Sequence, residues 1–267
     1  MPYSLNTSIY YTQLVATAYQ VDSGDAPIFT PPVGVVFESI QALYANDLAT
    51  DISFATDYVP FGFVARVGTT LVVALRGTDH IWEWVDDVQF LSIPCPIAGA
   101  TGSTEDGFTG VYMSLRTDHD DNAPTVAEYV RSQLRLGDSV VVTGHSLGAA
   151  LATLCAYDLT LNVLPAPPIV YTYACPNVGN NAFATDYNAK VPDTYRVINP
   201  FDVVPHVPLR LPLGMGYQQV GQTFAYNPAG ALKIDIGCMH ILPSYQHLLG
   251  VAAGVAAQFP VTAPCMP

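Results

Sequence analysis

At 267 residues, half of them hydrophobic and 12% charged, the chain carries enough apolar side chains for a large buried core. Nine Lys and Arg against 22 Asp and Glu give a formal net charge of −13, a field that repels phosphate backbones; with no basic cluster, nucleic-acid binding is excluded as a role. No apolar run is long enough for a transmembrane segment, because Arg76 and the prolines of VLPAPPIVYTYA interrupt the candidates.

In chain order, the opening MPYSLNTSIYYTQLVATAY shows no basic start, apolar core or small-residue cleavage site. It reads as a mature amino terminus or a chain never exported, which leaves location open with secretion favoured over the cytoplasm. Residues 4–20 form a predicted helix, with Ile9, Leu14, Val15 and Ala18 on its buried face. Residues 61–78 read as a hairpin, turning at Gly68-Thr69-Thr70 into the apolar strand 71–75. Helices are predicted over 109–116 and 124–135, separated by DHDDNAP. DSVVVT is a short buried strand that leads into a helix over 147–162. PIVYTYA and TYRVIN are further strands, and a helix over 241–257 closes the chain. Short apolar strands alternating with helices predict an α/β fold, a mostly parallel sheet covered on both faces, in one domain.

The serine of VVTGHSLGAALATLCA sits where a strand runs into a helix. A nucleophile elbow needs Ser146 there: the sharp turn exposes the hydroxyl, and Gly144, Gly148, Ala149 and Ala150 allow the close packing it demands. The helix start aims backbone N–H groups at the reacting centre. A serine needs a base, and the base an orienting acid, following in the order acid then histidine. Asp202, in a proline-braced loop past a predicted strand, is the candidate acid. His240, in a loop just before the last helix, is the candidate base; His247, inside that helix, is the alternative.

With these parts in place, the chain resembles the class 3 lipases, the filamentous-fungal type, over most of its length. The resemblance runs through VVALRGTDHIWEWVDDVQF (72–90), EDGFTGVY (105–112), the VVVTGHSLGAALAT elbow, YTYACPNVGNNAFA (171–184), NPFDVVPHVPL and MHILPSY. It implies an α/β-hydrolase fold with a helical lid, and a serine hydrolase acting on neutral lipid esters at an oil–water interface as a monomer. It further implies an oxyanion hole from the backbone N–H groups of Thr78 and Leu147. Phospholipase A1, feruloyl-type or soluble-ester esterase, and a catalytically silent binding protein are the alternatives. The chain departs from the family at Cys175, where glycine or alanine is usual, and in having no cysteines near the amino terminus.

Residues 80–90 carry Ile81, Trp84, Val85 and Val88 at helical spacing, with Trp82 beside them and Glu83, Asp86 and Asp87 turned away. Following Thr78 directly, this amphipathic stretch reads as a lid that bares Trp84 to oil. Five cysteines permit at most two bridges, and Cys238 with Cys265 is a possible clasp on the carboxy-terminal tail. No metal-ligand spacing or nucleotide-binding glycine motif occurs, so no metal and no cofactor are expected.

Overall fold

The computed structural model describes residues 2–20, 27–46, 58–78, 91–208, 216–228 and 230–267. Their strands are β1 (Ser39–Asn46), β2 (Tyr58–Val67), β3 (Thr70–Leu75), β4 (Ser92–Pro94), β5 (Ser103–Glu105), β6 (Ser139–His145), β7 (Ile169–Tyr173), β8 (Gly179–Asn180), β9 (Thr194–Ile198), β10 (Tyr217–Gln218) and β11 (Gln222–Ala225). The main sheet has the order β1-β2-β3-β6-β7-β9-β11. From β3 to β11 every pairing is parallel, and β2 alone runs against its neighbours. A small antiparallel sheet takes β10-β8-β5-β4.

Strand periodicity divides the core. On β3, Leu71, Val73 and Leu75 enter one apolar layer, while Val72 and Ala74 enter the other; Val140 and Val142 of β6 face opposite ways from Val141. The first layer lies beneath the helices Asp106–Ser114, Val126–Gln133 and Leu147–Asn162. The second lies beneath the helices Leu5–Ala18 and Leu242–Ala252, which pack on each other. A strand buried on both faces must be apolar at successive positions, which explains the unbroken Val140-Val141-Val142.

Helix ends differ from the predicted spans where side chains or prolines decide them. The helix predicted over 109–116 begins at Asp106, because the Glu105 carboxylate accepts the Phe108 N–H at 2.7 Å. Val126–Gln133 opens with a capping box between Thr125 and Glu128. The helix predicted over 241–257 spans only Leu242–Ala252, with Pro243 in its first turn and Gly254 at φ +72 just past its end. A separate five-residue helix, Ile236–His240, precedes it, capped by Asp235 and tied to the tail by a Cys238–Cys265 disulfide.

Candidate active site

Strand β6 ends at His145 and the next helix begins at Leu147, so Ser146 alone reverses the chain, at φ 58 and ψ −128. A residue with a Cβ held there costs about 1–3 kcal/mol of backbone strain. The surroundings enforce it by close approach. A Cβ on Gly144 would lie 2.2 Å from the Gly148 carbonyl oxygen, and one on Gly148 would lie 2.4 Å from the Arg76 oxygen. A Cβ on Gly77 would lie 2.9 Å from the Ser146 Cβ. The strand ends of β3 and β6 and the helix start are therefore pressed together, and Thr78 follows immediately on the residue that abuts Ser146. Leu147 is the first residue of its helix, so its N–H has no intrahelical acceptor.

Asp202 stands four residues beyond the end of β9, and its Oδ1 accepts the Val204 N–H at 3.0 Å. Its Oδ2 accepts from His240 Nδ1 at 2.9 Å and from the Tyr245 hydroxyl at 2.7 Å. A carboxylate only accepts, so the His240 proton sits on Nδ1 and Nε2 accepts from the Ser146 hydroxyl, 2.8 Å away. Ser146, Asp202 and His240 are all at least 97% buried, which keeps the relay in a medium where its charge-assisted bonds are strong. Such a relay can deprotonate the serine as it attacks an acyl carbon.

The structure thus brings together Ser146, Asp202 and His240 as the sequence order requires. His240 closes the short helix Ile236–His240 rather than lying in the expected loop; the Asp235 cap and the disulfide hold a turn too short to be stable alone. His247 lies elsewhere, with its Nδ1 on the Phe259 carbonyl at 2.8 Å. The expected lid stretch, with Ile81, Trp82, Trp84, Val85 and Val88, lies outside the described residues. Sequence reasoning gives no role to Tyr245, the last residue of the MHILPSY block. Its hydroxyl accepts the Asn199 N–H at 3.1 Å while donating to Asp202, and burial pushes its pKa well above the ordinary phenol value. Its place five residues after His240 is the one signal that could have found it. Among the described residues, no group of three or more His, Cys, Asp or Glu is placed to hold a metal ion, and no helix is long and apolar enough to cross a membrane.

Comparisons with known proteins agree with this geometry. Residues 72–211 match the family model described as Lipase (class 3). Phospholipase A1-II 7 of Oryza sativa subsp. indica is 31% identical over 239 residues, which cover 78% of this chain and 57% of the relative. A lipase of Rhizomucor miehei is 29% identical over 229 residues, covering 82% of this chain and 58% of the relative. The chain therefore spans a little over half the length of these two relatives. A solved triacylglycerol lipase, described as having a serine protease triad for its catalytic centre, superposes with a TM-score of 0.60 at 25% identity. That match covers 83% of this chain and 80% of the other. The fold is that of the α/β-hydrolases, and the chain belongs to the class 3 lipase family.

Proposed function

We propose that the chain hydrolyses the carboxylic esters of neutral lipids, triacylglycerol to diacylglycerol and fatty acid, acting as a monomer. The observation that carries the reading is the relay from Ser146 Oγ through His240 to Asp202, at 2.8 and 2.9 Å, on a strained strand-to-helix turn. In this reading Ser146 Oγ attacks the ester carbonyl as His240 Nε2 takes its proton. The oxyanion that forms is held by the N–H groups of Thr78 and Leu147, at the start of the Leu147–Asn162 helix. His240 gives its proton to the departing alcohol, leaving an acyl-enzyme on Ser146. A water then loses a proton to His240, attacks the acyl carbon and releases the fatty acid. Asp202 holds the imidazole in the required tautomer throughout.

The net charge of −13 favours uncharged substrates and helps expel an anionic product. The apolar face written into Ile81, Trp84, Val85 and Val88 supports action at an oil–water interface. A second reading, phospholipase A1 activity, is favoured by the rice relative; it uses the same acyl chemistry on a different lipid. The deciding experiment follows p-nitrophenyl butyrate, emulsified long-chain triglyceride and dispersed phosphatidylcholine, alongside Ser146→Ala. A rate that jumps once triglyceride forms droplets, and vanishes in Ser146→Ala, supports the proposal. Faster release from phosphatidylcholine favours the second reading, and saturation on dissolved ester alone points to an esterase. No turnover of any of the three by the wild type moves the silent binding-protein reading to the front.

A further inference from the structure

Two polar side chains flank the relay without being members of it, Tyr19 half-buried and His145 buried. Tyr19 caps the end of the Leu5–Ala18 helix, and its hydroxyl accepts the Gly77 N–H at 2.8 Å. The same hydroxyl lies 2.8 Å from His145 Nδ1. His145 Nε2 lies 2.8 Å from the His240 carbonyl oxygen. A carbonyl only accepts, so Nε2 carries the His145 proton and Nδ1 accepts from Tyr19. Polarity then runs one way only: Gly77 N–H to the phenol, phenol to imidazole, imidazole to the His240 backbone. His145 is 3% exposed, and burial, reinforced by the neighbouring His240 ring, pushes its pKa well below the ordinary value, so it stays neutral. With both ring nitrogens engaged, His145 is not a spare base.

The two ends of this chain are the parts that must hold still during the reaction assigned above. Gly77 precedes Thr78, the assigned oxyanion donor, and His240 carries the base. They come from distant parts of the sequence, Gly77 from just past β3 and His240 from the end of the short helix Ile236–His240. We propose that Tyr19 and His145 are positioning residues, a hydrogen-bonded frame that fixes the oxyanion loop against the backbone of the base. The proposal rests on the assigned ester hydrolysis.

Tyr19→Phe keeps the ring and removes the hydroxyl's bonds to Gly77 and His145; His145→Leu removes the hold on His240, and His145→Gln restores a donor of similar reach. With dissolved p-nitrophenyl butyrate, kcat of Tyr19→Phe is expected to fall about 10–100-fold while KM stays within about twofold, because misplacement of this kind acts on the transition state. His145→Leu is expected to lose kcat likewise, and His145→Gln to recover most of it. Wild-type kcat in Tyr19→Phe and His145→Leu overturns the proposal, as does a loss that only tracks the folded fraction measured by circular dichroism. Ring-nitrogen NMR of labelled protein supplies a readout that needs no turnover. The wild type should show His145 protonated on Nε2 alone, and Tyr19→Phe should shift its Nδ1 resonance. If the wild type hydrolyses no ester, the assigned function fails while this resonance still judges the frame. An Nδ1 resonance indifferent to Tyr19→Phe overturns it.

Discussion

Ser146 pays for its geometry in backbone strain, and the cost is measurable by comparing Ser146→Gly with Ser146→Ala. Both substitutions remove the hydroxyl and leave His240 Nε2 without its 2.8 Å donor, so their difference isolates the backbone. At φ 58 and ψ −128, alanine keeps the Cβ clash that glycine relieves, worth about 1–3 kcal/mol. Glycine loses about 0.5–1 kcal/mol more in unfolded-chain entropy. At the midpoints of these ranges the balance favours Ser146→Gly by about 1 kcal/mol, the reverse of the order at an ordinary helical position. Urea denaturation with the disulfide intact, at equal m-values, measures it directly; for a chain of this size each kcal/mol also moves Tm by about 2–4 °C. An alanine variant as stable as the glycine variant, or more so, would refute the strained elbow.

Three other consequences concern the supports of the site and fold. Arg66 and Asp138 form a two-pronged pair at 3.1 and 3.0 Å, with side chains only 2% and 4% exposed; Asp138→Ala leaves the guanidinium its bond to the Gln133 carbonyl but removes its counter-charge, and should cost about 3 kcal/mol in urea denaturation. The Arg66 hydrogen bonds hold the Asp138 carboxyl below its ordinary value near 3.8. Its stabilisation is therefore complete above that value and lost as pH falls through the depressed one, so Asp138→Asn should flatten this part of the acid-unfolding curve. Tyr245→Phe removes the 2.7 Å donor to Asp202 and strands the Asn199 N–H; a stability loss of about 1.5–3 kcal/mol is expected, with kcat on a dissolved ester lowered, and unchanged values of both would contradict the assignment. The Cys238–Cys265 bridge spans 27 residues and clasps the helix that ends at His240. A dithiol reductant should lower the wild type's stability by about 2–4 kcal/mol and its activity with it, while leaving a Cys265→Ser variant unmoved.

How much of the fold and site is legible in the sequence depends on whether a residue's neighbours are near it along the chain. The β6–Ser146–helix junction announces itself because the strand carries the unbroken Val140-Val141-Val142 and the turn is bracketed by residues without bulk. Asp202 and His240 can be found because the relay has a chain order. The hairpin of β2 and β3 and the parallel pairing of β3, β6, β7 and β9 follow the predicted pattern. The small sheet does not: β4, β5, β8 and β10 are two or three residues long, too short for any periodicity to register. β11 is the mostly exposed QTFA, recruited as an edge by backbone pairing with β9. Ile236–His240 is a helix only because its cap, its disulfide and Asn199 on the Met239 carbonyl hold it. The frame through His145 is invisible in the sequence because its partner Tyr19 lies 126 residues away. Cys238 and Cys265 pair as their spacing allows.

The central claim is that Ser146 is a nucleophile activated by His240. An organophosphate such as diethyl p-nitrophenyl phosphate reports it whatever the natural ester is, since the activated serine displaces p-nitrophenolate and keeps the phosphoryl group. Mass spectrometry of the digested protein should locate one diethylphosphoryl group on Ser146 at stoichiometric labelling, with labelling abolished in Ser146→Ala and slowed by orders of magnitude in His240→Ala. An unlabelled wild type, or a label on another residue that persists in Ser146→Ala, would contradict the account.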